Sequence, residues 1–317
     1  METHSEKSKI HIVFASDDRY AQHAAVAMAS VLEHAKYPER IDFFLLSDSI
    51  SEERAEKFRT TARRWDSEAI VIPVEGEAFS EFYVSAQLSR AAYMRLAVAE
   101  ILPKDIDKII YLDCDLIVKK DITELWDASM ERNAIAAVPD CGIMTSSKSR
   151  KQKRQCIGLT GEDLYFNSGV LMIDLAEWRK NNYARKLLSL VQEHSYPHHD
   201  QDALNAFFYH RWTALPLEWN VIPPVWFMFL KIVFSKWRAS AAAARQNPAI
   251  LHYAGGYKPW EYAVYAGFND EYYALFQKTA FADEKMPQFD ARKKHRSIRR
   301  QMVRLRIGNF WGKLFAK

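Results

Sequence analysis

Glycine is scarce in this chain, ten residues in 317, and none of them falls in a G-x-G-x-x-G or G-x-x-x-x-G-K-[ST] pattern. A nucleotide site here cannot rest on a glycine-rich phosphate cradle, so other groups must neutralise the phosphates. Cysteine is equally sparse. Cys114, Cys141 and Cys156 are odd in number and show no C-x-x-C spacing, which excludes a disulfide framework and a thiolate zinc site. Long apolar runs are missing too. The greasiest stretch, residues 221–234, contains Pro223, Pro224 and Lys231 and falls short of the roughly 20 residues that span a bilayer. The opening METHSEKSKI is polar, with no apolar core of a signal peptide. The expectation is a cytosolic chain without a transmembrane helix. No internal repeat is present, and nine Trp, fifteen Tyr and eighteen Phe exclude a disordered chain.

What is present is an alternation of strand-like and helix-like segments. Ile10 to Ala15 reads as a buried strand, Tyr20 to Lys36 as a helix, Ile41 to Leu46 as a strand and Ser51 to Trp65 as a helix. Ile70 to Val74 reads as a strand, Ser89 to Ile101 as a helix and Lys108 to Leu112 as a strand. This order predicts an α/β fold of βαβ units, with a mostly parallel, Rossmann-like sheet flanked by helices. Such sheets bind ligands beyond the carboxyl ends of their strands, which singles out the residues after Ala15 and after Leu112. Further strands are predicted at Ala134 to Val138, Tyr165 to Ile173 and Ile250 to Tyr253. Cys141 to Thr160, containing SSKSRKQKR, reads as a polar, basic excursion. Composition changes near Gln288: from Arg292 to Lys317 there are ten Lys or Arg residues and no acid. Residues 1–288 are expected to form one domain, divided into 8–115 and 116–288, followed by a basic tail at 289–317.

Three segments carry chemistry. Asp113-Cys114-Asp115 follows the apolar run Ile109 to Leu112. Two carboxylates spaced i, i+2 at a strand end can face one ion, and hard oxygen ligands select Mg²⁺ or Mn²⁺ that also take substrate phosphates. The segment FASDDRYA ends the first predicted strand; its acids can accept the uracil N3 proton, and Tyr20 offers a flat face for stacking. Helix capping by Asp18 with Tyr20 in the core is the structural alternative. His252 opens HYAGGYKPW, where glycines admit backbone to a phosphate and Lys258 adds positive charge.

Taken together, FASDDRYA, IIYLDCDLIV, YFNSGVLMIDL, HHDQDALN and HYAGGYKPW resemble the ordered motifs of glycosyltransferase family 8, which includes bacterial lipopolysaccharide α-galactosyl- and α-glucosyltransferases and, more distantly, glycogenin. The resemblance runs from residue 10 to about residue 260. It implies a GT-A catalytic domain over residues 1–288, with a nucleotide-binding half at 8–115 and an acceptor and donor-sugar half at 116–288. It also implies a retaining transfer of glucose or galactose from a UDP-sugar to a glycan or glycolipid acceptor, with Mn²⁺ or Mg²⁺ assisting departure of UDP. By the same resemblance Asp113, Asp115 and His252 match the metal ligands. Ala15, Asp17, Tyr20 and Cys114 match the nucleotide pocket, Gly255 and Lys258 the diphosphate contacts, and Arg95 a basic residue near donor phosphates and sugar. Asp140, Asn167, Asp200 and Gln201 match groups around the donor sugar. Arg19 departs from the family pattern.

Retention by double displacement needs a nucleophile on the β face of the sugar. The motif places Gln201 there, and a neutral amide is a poor nucleophile; Asp200 is the better one chemically. Front-face attack, with Gln201 as a stabiliser, is the favoured expectation. In the tail, Ile298, Met302 and Leu305 share one helical face, with Arg296, Arg299, Arg300 and Arg304 mostly opposite. That pattern predicts an anionic-membrane anchor over residues 292–317, on the inner face of the cell membrane, and not a nucleic-acid site. Two other classes stay open: a UDP-sugar nucleotidylyltransferase, and a non-catalytic membrane-associated glycan-binding protein on the same fold.

Overall fold

A computed structural model describes residues 9–74, 94–256, 258–261 and 269–284, together with Val303, Arg306, Ile307 and Phe310. The beginning of the helix predicted from Ser89, and Ile298, Met302 and Leu305 of the predicted tail helix, lie outside the described residues. Among the described residues no helix is long and apolar enough to cross a membrane. The apolar stretch after Val221 instead forms two short helices, Pro223–Trp226 and Leu230–Val233, whose Trp226, Ile232 and Val233 are core residues.

The chain begins with β1 (Ile10–Asp17), α1 (Ala21–His34), β2 (Ile41–Asp48), α2 (Glu52–Arg63) and β3 (Glu68–Pro73). Next come β4 (Lys108–Leu112), β5 (Leu116–Val118), β6 (Ile135–Pro139), β7 (Phe166–Asp174), β8 (Thr213–Ala214) and β9 (Ile250–His252). Seven strands form one sheet in the order β3-β2-β1-β4-β7-β6-β8. β1 is parallel to β2 and β4, and β2 to β3, as βαβ connections require. β7 runs antiparallel between β4 and β6.

Between its edge strands β3 and β8 the sheet is buried on both faces, so those inner strands are nearly continuous apolar runs. Side chains alternate between two cores. Ile12, Phe14, Phe43, Leu45, Ile110 and Leu112 pack on the face that carries α1, while Val13, Phe44, Leu46, Ile109 and Tyr111 pack on the other. α1 is alanine-rich and buried along most of its length, which lets it lie close against the strands.

Two departures from the predicted layout shape the site. Cys141 to Thr160, a polar, basic excursion in the sequence, contains the helices Cys141–Met144 and Ser147–Ile157, to which the sequence pattern assigns no secondary structure. The second is capped by Ser146, whose hydroxyl accepts from the Ser149 amide, and it buries Lys153 completely. The register of β6 on β7 also slips between Ala137 and Val138, which pair with Leu171 and Asn167. That bulge leaves Ser168 to Val170 without a β6 partner, and the Gly169 carbonyl accepts from the Asp113 amide just past β4.

Candidate metal and donor site

β5 and β9 form a separate two-stranded antiparallel sheet, with Leu116 opposite His252. This pairing places His252 beside the Asp113–Asp115 segment, and the Tyr253 amide donates to the Asp115 carbonyl at 2.8 Å. β4 ends at Leu112, so the two aspartates converge across a bend between β4 and β5 rather than by alternation along a strand. The Asp113 amide is anchored on the Gly169 carbonyl at 2.8 Å. One ligand atom each from Asp113, Asp115 and His252 lies within 4.8 Å of the others.

The tautomer of His252 follows from its neighbours. Nδ1 lies 2.9 Å from Asn220 Oδ1, and Asn220 Nδ2 donates to Asn167 Oδ1 at 2.8 Å. Because Asn220 presents its oxygen, Nδ1 donates to it, and Nε2 faces Asp115 Oδ1 (3.3 Å) and Asp113 Oδ2 (3.7 Å), so a neutral imidazole here would offer its Nε2 lone pair to a cation shared with the two carboxylates. Gly169 closes this cradle from below. A Cβ built there would stand 2.3 Å from His252 Cε1 and 2.8 Å from Asp113 Oδ2.

The cluster is electrostatically divided. Burial alone would raise the Asp115 carboxyl, but Lys258 and His252 outweigh it and hold the group below the usual carboxylate range. Asp113 goes the other way: burial, joined by repulsion from Asp115, outweighs the pull of Arg95. Lys258 donates to Asp115 and to the Tyr253 carbonyl (3.0 Å). Arg95 is buried above the Tyr111 ring at 4.5 Å and donates to Asp113, Asp200, Ser168 and the Tyr111 hydroxyl. It therefore ties one member of the acid–histidine cluster to Asp200.

At the end of β1, the Ala15 carbonyl accepts from Cys114 Sγ at 3.3 Å. Asp17, rather than Asp18, caps the turn into α1, taking the Tyr20 amide on Oδ1 at 2.9 Å. Asp18 reaches across to the amide and hydroxyl of Ser51 ahead of α2. Tyr20 meets Trp260 edge-on at 6.0 Å, so the FASDDRYA and HYAGGYKPW segments are in contact. Gly255 sits at φ +92°, a conformation L residues rarely adopt, and this turn brings Lys258 back over Asp115.

Gln201 accepts from Asn167 Nδ2 (3.1 Å) and the Ser168 amide (3.2 Å), and its own Nε2 donates to the Tyr165 hydroxyl (3.1 Å). Asp140 caps the helix Cys141–Met144 through the Ile143 amide at 2.9 Å, leaving Oδ2 at 3.5 Å from Gln201 Nε2. The donor-side residues singled out in the sequence are thus linked: Arg95 joins Asp113 to Asp200, and Gln201 joins Asn167 to Asp140. Asn220, Tyr165, Ser168 and Gly169 escaped that reading; only the N-S-G of YFNSGV marked any of them, and nothing marked Asn220.

The family model described as Glycosyl transferase family 8 matches residues 11–263. The chain is 29% identical over 275 residues to the Bacillus subtilis protein described as General stress protein A, covering 85% of this chain and 94% of that one. It is 27% identical to an Escherichia coli lipopolysaccharide 1,2-glucosyltransferase, across 82% of this chain and 76% of the relative. Among solved structures it is similar to the galactosyltransferase LgtC in complex with donor and acceptor sugar analogs. The TM-score is 0.70 at 29% identity, over 88% of this chain and 98% of the other.

Proposed function

The chain belongs to glycosyl transferase family 8, and from that premise we propose that it moves a hexose, glucose or galactose, from a UDP-sugar to a glycan acceptor with retention of configuration. The observation that carries the reading is the convergence of Asp113, Asp115 and His252 within 4.8 Å, with Lys258 on Asp115. The donor set of two carboxylates and one imidazole suits a Mn²⁺- or Mg²⁺-type ion. The fit is supported by the spent Nδ1 of His252 and by the missing Cβ of Gly169. When bound, such an ion supplies charge stabilisation to the departing diphosphate.

The chain's own groups then divide the work. Lys258 and the Gly255 turn serve the diphosphate. Ala15, Asp17, Tyr20 and Cys114 line the uridine end, and Asp140, Asn167, Asp200 and Gln201 the donor sugar. Arg95 keeps Asp200 occupied as a hydrogen-bonded counter-ion, which blunts it as a nucleophile. Gln201 has its oxygen committed to two donors and is no better placed to attack. Both facts favour front-face transfer. The acceptor hydroxyl forms the new bond at the anomeric carbon as the bond to UDP breaks, and its proton passes to the departing phosphate oxygen. Gln201 steadies the positive charge that develops on the ring.

The acceptor in this proposal is a lipopolysaccharide core or another cell-surface glycan, as the Escherichia coli relative suggests. Residues 1–288 form the catalytic unit. The basic tail, residues 289–317, holds it on the anionic inner face of the membrane. The test is a UDP-release screen with UDP-glucose and UDP-galactose, with and without Mn²⁺. Metal-dependent UDP release is expected. Pyrophosphate release from UTP and a sugar 1-phosphate would mark a nucleotidylyltransferase instead, and inertness of folded protein in both assays would mark a binding protein.

A further inference from the structure

Lys153 is the one residue of the basic SSKSRKQKR run that the surface does not claim: its side chain is fully buried, as are those of Asp202 and Tyr165. A buried ammonium is strongly unfavourable unless it is closely paired. Here Lys153 Nζ sits 2.5 Å from Asp202 Oδ1 and 2.6 Å from His198 Nδ1, above the face of Tyr165 at 5.1 Å. Asp202 is held by three donors. It accepts from Lys153, from the Tyr165 hydroxyl at 2.6 Å and from the His198 amide at 2.9 Å. A carboxylate that only accepts compels the Tyr165 proton to point at it. The phenolic oxygen is then left as an acceptor for Gln201 Nε2 at 3.1 Å.

From there every bond has the same sense. Asn167 Nδ2 donates to Gln201 Oε1, Asn220 Nδ2 to Asn167 Oδ1, and His252 Nδ1 to Asn220 Oδ1. Reversing one amide would set N–H against N–H at one of its contacts and oxygen against oxygen at the other. The ion pair terminates a chain of aligned donors that runs from the donor-sugar group Gln201 to the acid–histidine cluster.

We infer that Lys153, through Asp202 and Tyr165, is a positioning residue that fixes which face of the Gln201 amide meets the donor sugar. The inference rests on the proposed place of Gln201 at that sugar. It gives the fully buried ion pair a task that stability alone does not require, since a well-packed apolar pair of similar volume is often as stable.

Four proteins test it, each measured for melting temperature, for UDP affinity and for kcat and KM in UDP release: Tyr165→Phe, the double variant Lys153→Met with Asp202→Leu, Gln201→Ala, and Tyr165→Phe combined with Gln201→Ala. Tyr165→Phe removes only the relay oxygen. It is expected to fold as the parent does and to lower kcat about 10- to 100-fold with KM for the donor little changed, the scale of an active-site group misplaced by about an ångström. The double variant replaces the buried charges together and is expected to keep the parent's melting temperature yet share the kcat loss, because no carboxylate orients Tyr165. Adding Tyr165→Phe to Gln201→Ala should cost nothing further, since the two act through one group. Parental kcat in either Tyr165→Phe or the apolar double variant, beside a slow Gln201→Ala, overturns the relay while leaving the site reading intact. Parental kcat in Gln201→Ala overturns the placement of Gln201 itself, and the relay with it.

Discussion

Gly169→Ala adds one methyl group beneath the acid–histidine cluster, and two effects of opposite sign compete. In a strand interior alanine is ordinarily the better residue, by about 0.5–1 kcal/mol of backbone entropy. The added Cβ, however, would lie 2.3 Å from His252 Cε1, 2.9 Å from His252 Nδ1 and 2.8 Å from Asp113 Oδ2. Carbon atoms rest at about 3.5–4.0 Å, so the imidazole must retreat by more than about 1 Å. It has little room to do so, being 3% exposed in its side chain and held by Asn220. Asp113 is similarly restrained by Arg95 and by the backbone bond to Gly169 itself. Overpacking of this kind costs about 1–3 kcal/mol, which outweighs the entropic gain. The larger effect is functional. A displacement near 1 Å corresponds to a loss of about 100-fold in rate, and the loss should appear in Mn²⁺ affinity as well as in turnover. The assay pairs a Mn²⁺ titration in the presence of UDP with UDP release and thermal melting. A variant more stable than the parent, with undiminished Mn²⁺ affinity and turnover, would refute the reading of Gly169 as the floor of the cluster.

Asn220→Ala removes the acceptor that fixes the His252 tautomer; Mn²⁺ affinity should fall about 10- to 100-fold, and an unaltered titration curve would detach Asn220 from the cluster. His23 is stacked on Trp260 at 3.6 Å and hydrogen-bonded to Tyr272 at 2.6 Å, and burial drives its pKa from 6.5 down to about 3. The unfolded chain binds this proton below about pH 6.5 and the folded one does not, so stability should fall by about 1.4 kcal/mol per unit as pH drops toward 3. Urea unfolding of the parent and of His23→Gln at pH 7 and pH 5 checks this, and equal slopes in both would show that His23 is not held neutral. Truncation after Gln288 should abolish salt-sensitive binding to anionic vesicles, worth about 1 kcal/mol per basic residue near the surface, while UDP release in solution persists. Unchanged vesicle binding by the truncated chain would leave the tail without its proposed role.

The strands β1, β2 and β4 were legible because a sheet buried on both faces demands unbroken apolar runs, which Ile10 to Ala15, Ile41 to Leu46 and Lys108 to Leu112 supply. The antiparallel insertion of β7 between β4 and β6 was not legible, because strand order depends on contacts between segments far apart in the chain. The helix Ser147–Ile157 was hidden for a different reason. Its exposed Lys148, Lys151 and Arg154 make the segment polar, and one buried Lys153 does not restore an apolar period. In the site, Asp113, Asp115 and His252 stood out because short motifs carry them. Their supports, Asn220, Gly169, Tyr165 and Lys153, act through contacts spanning 32 residues (Asn220 to His252), 37 (Tyr165 to Asp202) and 49 (Lys153 to Asp202), and no local pattern records such pairs.

The central claim is that Asp113, Asp115 and His252 hold one divalent ion that UDP shares. Electron paramagnetic resonance of Mn²⁺ titrated into the full chain with UDP measures this directly. One ion bound per chain is expected in the parent, with binding lost in a folded Asp115→Ala variant and no comparable loss in Asp48→Ala, whose carboxylate ends β2 outside the cluster. Mn²⁺ binding that survives Asp115→Ala at parental affinity would contradict the account.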